Sequence, residues 1–344
     1  MIDWHKYRVD LNIFKRIFLE CLEVNDEKVL IVGDYGFKNR LLSPIITNAY
    51  ALAARELELN YSVFLQDSKE RGEYADEVLL ETLKKLPRGS IIVLNVSNRI
   101  GKLGQLGLSF RKFCNKNNHK FITSSSLGGL TNGSLKNFLK TLNVDYKKMH
   151  KKGERIKKAL DSGNEINITT KLGTDIAMNI ADSRAIINSG LYNYSGAGGN
   201  MPAGEVYLPP LIDKTEGVFI IDGSIRLRNK TLKVKTPVKV VVEKGEIVYI
   251  SSNYEGSLLK ETLNWAEKKS KHPEGVRKIA ELGIGINSNA EIIGATVIDE
   301  KTRGTIHIAN GSNKWFGGQI LSIVHLDHVI RNAVVKIDGR LLRL

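Results

Sequence analysis

Cysteine is nearly missing from this chain: Cys21 and Cys114 are the only two in 344 residues. Two thiols so far apart exclude a disulfide framework and a cysteine zinc knuckle, and they read as small buried hydrophobes. Apolar residues never run to about 18 in a row, which excludes a membrane-spanning helix. The opening MIDWHKYRVDLNIF interleaves charges with apolar residues and has no secretory core, so the expectation is a cytoplasmic protein with no membrane partner. Phosphate-cradling glycine motifs are missing too. Gly33-Asp34-Tyr35-Gly36 is not GxGxxG, and neither GxxxxGKS nor GxxxxGKT occurs. SSSLGGLTNGS, residues 124–134, reads as a plain turn. Nucleotide binding therefore has no motif to stand on.

What is there has the balance of a globular protein: 42% apolar, 26% charged, and long enough for two domains. The net charge of +14 is the outlier. Lys147, Lys148, Lys151, Lys152, Arg155, Lys157 and Lys158 crowd one helical segment. Such a run suits nucleic-acid phosphates. The stacking aromatics and glycine-rich RNA-binding motifs are lacking, so a solvated helical face is favoured and nucleic acid is not counted among the partners.

Helical spacing opens the chain over 8–24, followed by the apolar run VLIVGDYG over 29–36. A helix from Pro44 to Leu59, a strand YSVFLQD, a helix over 76–86 and strands SIIVLNV and KFITSSS come next. Strands apolar on both faces and alternating with helices predict a parallel sheet covered on both sides. Residues 1–162 are therefore expected to be an α/β scaffold domain ending at the turn Ser162-Gly163-Asn164. From 163 to 344 the texture becomes that of an α+β domain with a bent antiparallel sheet. NEINITTKLGTDIAMNI reads as a hairpin, and VKVVVEKGEIVYI as another turning at Lys244-Gly245. GVFIIDGSI, EIIGATVID and GTIHIAN read as strands, with one helix from Leu258 to Leu282.

The chemistry-bearing residues lie in this second half. In HLD, His325 and Asp327 stand at i and i+2 of a strand and so project together. A neutral imidazole beside a carboxylate suits zinc, manganese or cobalt. His307 sits in the strand TIHIAN, where an isolated histidine is more often a satisfied core residue. Glu281 reads as a carboxylate at a helix-to-strand corner, ahead of Leu-Gly-Ile-Gly, and Glu205 is held between Pro202 and Pro209. Charged residues are rarely buried without partners, so these side chains are expected to converge on divalent metal.

GNMPAGEVYLPP, ELGIGIN, TIHIANGS followed by GG, and HLDHVI resemble, in order, four blocks of the aminopeptidase T (M29 metallopeptidase) family, and TTKLGTD resembles a further strand of it. The resemblance spans most of 165–344. It implies an N-terminal α/β domain, a strand-rich catalytic domain, a homodimer, and two divalent ions (zinc, cobalt or manganese) held by Glu205, Glu281, His307, His325 and Asp327. The resemblance also offers Glu300 as a candidate further carboxylate of the set. Two departures stand out. The family's tyrosine after the first histidine is replaced by the neighbourhood of Lys314 and Trp315, which makes Lys314 the candidate catalytic substitute, and the interval from His307 to His325 is shorter. The shorter chain is also similar to the 2,5-dihydroxypyridine dioxygenases of the same fold. In that case one ferrous ion would be held by His307, His325 and Asp327, a two-histidine, one-carboxylate set. The favoured expectation is hydrolysis of a peptide or related amide, with Glu281 bridging the ions or acting as general base. The alternative is ring cleavage of a dihydroxypyridine-like small molecule.

Overall fold

The structure, a computed structural model, describes Tyr7 and residues 9–344. Residues 1–6 and Arg8, on which part of the leader and opening-helix readings fell, lie outside the described residues. The chain divides into two compact units, Met1–Lys147 with Gly190–Ala203, and Lys148–Ser189 with Gly204–Leu344.

The first unit carries the expected parallel sheet. Its strands are Val29–Asp34 (β1), Tyr61–Gln66 (β2), Ile91–Asn95 (β3), Lys120–Ser124 (β4) and Gly198–Asn200 (β8), in the order β2-β1-β3-β4-β8. β1 and β3 are buried along their whole length, as strands covered on both faces must be. Around them run Leu11–Arg16 (α1), Leu42–Glu56 (α2), Glu77–Lys85 (α3), Phe110–Lys116 (α4) and Leu135–Leu142 (α5). The Asp10 carboxylate caps α1 by accepting from the Asn12 N–H at 3.0 Å. The helix then widens into a π-turn over Ile17–Cys21. Phe14 and Phe18 meet Tyr50 of α2 edge-on, at 4.7 and 5.7 Å between ring centres. Each such buried ring stabilises the fold by about 1.5–3 kcal/mol. Both cysteines are buried and free. Among the described residues no helix is long and apolar enough to cross a membrane.

The second unit holds two antiparallel seven-stranded sheets. One consists of Glu165–Thr169 (β5), Asp175–Asn179 (β6), Thr215–Ile221 (β10), Val238–Glu243 (β13), Glu246–Ile250 (β14), Val334–Ile337 (β18) and Arg340–Leu342 (β19). Both expected hairpins are in it: β5 pairs with β6, and β13 with β14 across Lys244-Gly245. The other sheet carries the chemistry. Its strands are Ile186–Asn188 (β7), Glu205–Leu208 (β9), Ser224–Arg226 (β11), Thr231–Lys233 (β12), Ile279–Gly285 (β15), Thr305–Gly311 (β16) and His325–Arg331 (β17), in the order β12-β11-β17-β16-β15-β9-β7. Helices Tyr146–Asp161 (α6), Tyr254–Lys269 (α7) and Thr296–Asp299 (α8) complete the unit.

Three expectations need correction. The change of unit falls between Lys147 and Lys148, in the first turn of the basic helix, rather than following it at Ser162. α6 presses Gly153 against Ile187, Val206 and Ile286, where a Cβ would come within 2.9 Å of the Ile187 side chain, so the helix belongs with the second unit. The helix expected to reach Leu282 stops at Lys269, ahead of the His272-Pro273 turn, and residues 279–285 form a buried strand. EIIGATVID is no strand. The Asp299 carboxylate gathers the N–H groups of Ile293, Gly294 and Ala295 at 2.8–3.0 Å, folding that stretch into a turn that enters α8. Asp299→Ala orphans those three donors, and urea denaturation is expected to show a loss of about 2–4 kcal/mol; a change below about 0.5 kcal/mol would mean that something else holds the turn.

Candidate metal centre

The centre is one face of four neighbouring strands, β17-β16-β15-β9. Directly opposed residues of antiparallel strands share a face. The register opposes Gly285 to Glu205, Gly283 to Tyr207 and to His307, Glu281 to Ala309, Ala309 to Asp327, and Gly311 to His325. Glu205, Glu281, His307, His325 and Asp327 therefore all project to the same side, and all five sequence-predicted ligands meet there. Glycines and an alanine stand between them. Gly283 is required: a Cβ there would lie 2.0 Å from His307 Nε2, so only glycine lets that imidazole lie across β15.

Two overlapping donor sets result, Glu205/Glu281/His307 and Glu281/His325/Asp327. Glu281 belongs to both. Its Oε1 is 3.2 Å from His307 Nε2 and its Oε2 is 3.3 Å from His325 Nε2. Glu205 Oε2 lies 3.7 Å from His307 Nε2, and Asp327 Oδ1 lies 3.2 Å from His325 Nε2. These separations exceed the roughly 2.7–2.9 Å of a good charged hydrogen bond. They match the edge, about 3.4 Å, of a tetrahedron with bonds near 2.1 Å. The donor chemistry and the spacing both fit divalent metal. His325 Nδ1 donates to the Ser312 carbonyl at 2.8 Å, which leaves Nε2 as the ligand nitrogen. His307 Nδ1 is buried with no partner among the described residues.

Electrostatics point the same way. Burial works against every charge here, yet hydrogen bonds from His307 and His325 hold the Glu281 carboxyl below its usual value. Burial likewise opposes a charged His307, but the Glu281 hydrogen bond and the surrounding carboxylates raise it to about 9. His325 too is raised well above its usual value by Asp327 and Glu281, again against burial. Asp327 is depressed by His325 despite its burial. The face draws positive charge.

Several residues of the site carried no mark in the sequence. The Lys301 ammonium, fully buried, contacts Glu205 Oε1 and lies 2.6 Å from Glu300 Oε1. Asn188 of β7 donates to the same Glu205 oxygen at 3.1 Å, leaving Oε2 free to face His307. Arg226 of β11 extends the β11–β17 register to a position beside Asp327; burial lowers its basicity, while Asp327 and Glu300 raise it. Glu300 is close to the set through Lys301, and burial, then the charges of Glu205 and Asp327, push its carboxyl to about 8 against the pull of Lys301. A lysine beside Glu300 and an arginine in a period-2 strand look like surface residues until the register is known. Lys314 sits in the exposed turn Lys314–Phe316 and makes no hydrogen bond or ion pair among the described residues. Its neighbours reach the site instead: Trp315 and Phe316 pack edge-on to the His325 ring at 4.7 and 6.1 Å, and Trp315 is 55% exposed. His328, the second histidine of HLDH, points to the other face and bonds Asn310.

The family model described as NicX, 2,5-dihydroxypyridine 5,6-dioxygenase, matches residues 136–342. The chain is 24% identical over 191 residues to the 2,5-dihydroxypyridine 5,6-dioxygenase of Pseudomonas putida KT2440, which covers 53% of each protein. The chain thus spans about half the length of that curated relative. Among solved structures, 2,5-dihydroxypyridine dioxygenase from the same organism superposes with a TM-score of 0.73 at 16% identity, covering 98% of this chain and 97% of that one. Wild-type AmpT from Thermus thermophilus superposes with a TM-score of 0.63 at 14% identity, covering 97% and 98%. At these identities the structural likeness establishes the fold. Gly283→Ala is expected to weaken zinc binding about tenfold or more by calorimetry, with the circular dichroism spectrum kept; unchanged affinity would show that His307 does not need this approach.

Proposed function

The chain belongs to the 2,5-dihydroxypyridine 5,6-dioxygenase family, and within that family we propose that it is a divalent-metal hydrolase acting on a peptide or related amide. The observation that carries this reading is Glu281, whose two oxygens face two different histidines, each completed by a further carboxylate. A single ferrous ion needs only two histidines and one carboxylate, which leaves Glu205 and Glu281 without a task. Glu205, Glu281 and His307 would hold one ion, and Glu281, His325 and Asp327 the other. Ions so held lower the pKa of a bound water towards neutrality and polarise the carbonyl of the substrate.

The chain's own residues supply the rest. Lys301 and Asn188 fix Glu205 by one oxygen and orient the other. With both Glu281 oxygens engaged, proton carriage passes to Glu300, which holds a proton near neutrality next to the Lys301 ammonium. Trp315 and Phe316 form an apolar wall against His325, suited to a hydrophobic side chain. Lys314, on the same turn, would meet only the outer part of a substrate.

A second reading, ring cleavage of a dihydroxypyridine-like aromatic at one ferrous ion, is supported by the family match and the curated relative. One observation of the site favours it. Lys301 and Arg226 already stand as fixed cations against the carboxylates Glu205, Glu281, Glu300 and Asp327, which leaves at most two negative charges uncompensated, fewer than the four positive charges that two divalent ions would bring. Elemental analysis separates the readings. About two zinc, cobalt or manganese ions per chain, lost together in Glu281→Ala, and aminoacyl-p-nitroanilide turnover that persists without oxygen are expected. One iron per chain with oxygen-dependent opening of 2,5-dihydroxypyridine would replace the hydrolase by the dioxygenase. Under either chemistry Trp315→Ala should raise KM several-fold, with kcat changed less; an unchanged KM would remove that wall from the binding site.

A further inference from the structure

Helix α6 holds one lysine that differs from its neighbours. Lys157 pairs with Asp161 at 2.7 Å, and Lys147, Lys148 and Lys151 lie on the helix's solvent side or at its start. The Lys152 ammonium is shut away from solvent and has no hydrogen-bond acceptor among the described residues. The charged groups that act on it are Arg155, one turn further along the helix, and Arg303, from the segment between α8 and β16; both repel it. Neither arginine side chain makes an ion pair or hydrogen bond of its own among the described residues. The adjacent Gly153 seats this part of α6 against Ile187, Val206 and Ile286. Arg303 is anchored nearby through its N–H, which donates to the Asn287 carbonyl at 3.0 Å. Val206 faces the helix, so Glu205, its neighbour on β9, points the other way, and the cationic cluster is separate from the metal face.

A desolvated ammonium with no acceptor, one turn from Arg155 on the same helix and within the field of Arg303, is costly unless an anion completes it. We propose that Lys152, Arg155 and Arg303 form a binding site for a phosphate group. Three cations suit a dianion, and guanidiniums present paired donors to phosphate oxygens. The site is independent of the reaction at the metal face. Burial, with the repulsion from Arg303 and Arg155, lowers the Lys152 ammonium to about 8, as expected of a cation waiting for its counter-charge.

Thermal unfolding of the full chain in phosphate-free buffer, with and without added ligand, tests this. Inorganic phosphate at about ten times its Kd is expected to raise Tm by a few degrees. The shift should vanish in Lys152→Gln, and the calorimetric Kd should rise about tenfold in Arg303→Gln. It should persist in Glu281→Gln, which separates the site from the metal face. Without phosphate, Lys152→Met should be more stable than the native chain, because it removes an unpaired buried charge. Glycerol 3-phosphate binding more tightly than inorganic phosphate would identify a phosphate ester as the ligand, and weaker binding would identify free phosphate. No shift with either compound, a shift retained in Lys152→Gln, or a destabilised Lys152→Met in phosphate-free buffer would overturn the proposal.

Discussion

The Glu281 carboxylate, buried in the middle of a sheet face, is the constraint around which the catalytic unit is arranged. An ionised carboxylate so enclosed costs several kcal/mol unless opposite charge or donors surround it. His307 and His325 supply that compensation from the next strand and the one beyond, each turned towards a different oxygen. The same demand raises both imidazoles above their usual range. Cations arriving at this face therefore displace protons already held there, and metal loading and imidazole titration are one equilibrium.

The rest of the sheet serves that geometry. Period-2 alternation sends Leu282, Ile284, Ile306 and Ile308 into the core while their neighbours face the site. Gly283, Gly285, Ala309 and Gly311 occupy the site side between the ligands, so polar side chains lie over the backbone instead of standing off it. Lys301 enters from outside the strands. Its ammonium offsets Glu205 and Glu300 together, which lets four carboxylates share a small volume. Removing that lysine would leave two buried acids facing each other, so its role is as much to permit the cluster as to orient one member.

The ligands were legible because strand periodicity and residue chemistry coincide. His325 and Asp327 are two apart in a strand, and the motif order carried Glu205, Glu281 and His307 with them. The surroundings of Glu281 were not legible. Helical spacing in the sequence runs through to Leu282, and only the His272-Pro273 turn and the burial of residues 279–285 show a strand. EIIGATVID misled for another reason: its apolar residues suit a strand, but one side chain, Asp299, gathers three backbone donors and folds the segment locally. The parallel sheet of the first unit followed from continuous apolar runs. The basic helix packs with the second unit through Gly153, and a charge pattern does not reveal what a glycine in the middle of a helix packs against.

Residues 299–303 carry separate tasks within one short segment. Asp299 fixes the turn, Glu300 and Lys301 face the carboxylates, and the charge of Arg303 acts on Lys152 of α6. The Lys301 carbonyl accepts from the Asn287 N–H, and the Arg303 N–H donates back to the Asn287 carbonyl, which clamps the segment to the end of β15. The clamp fixes the backbone on both sides of Thr302, so Lys301 is held on its carboxylates independently of what Arg303 meets.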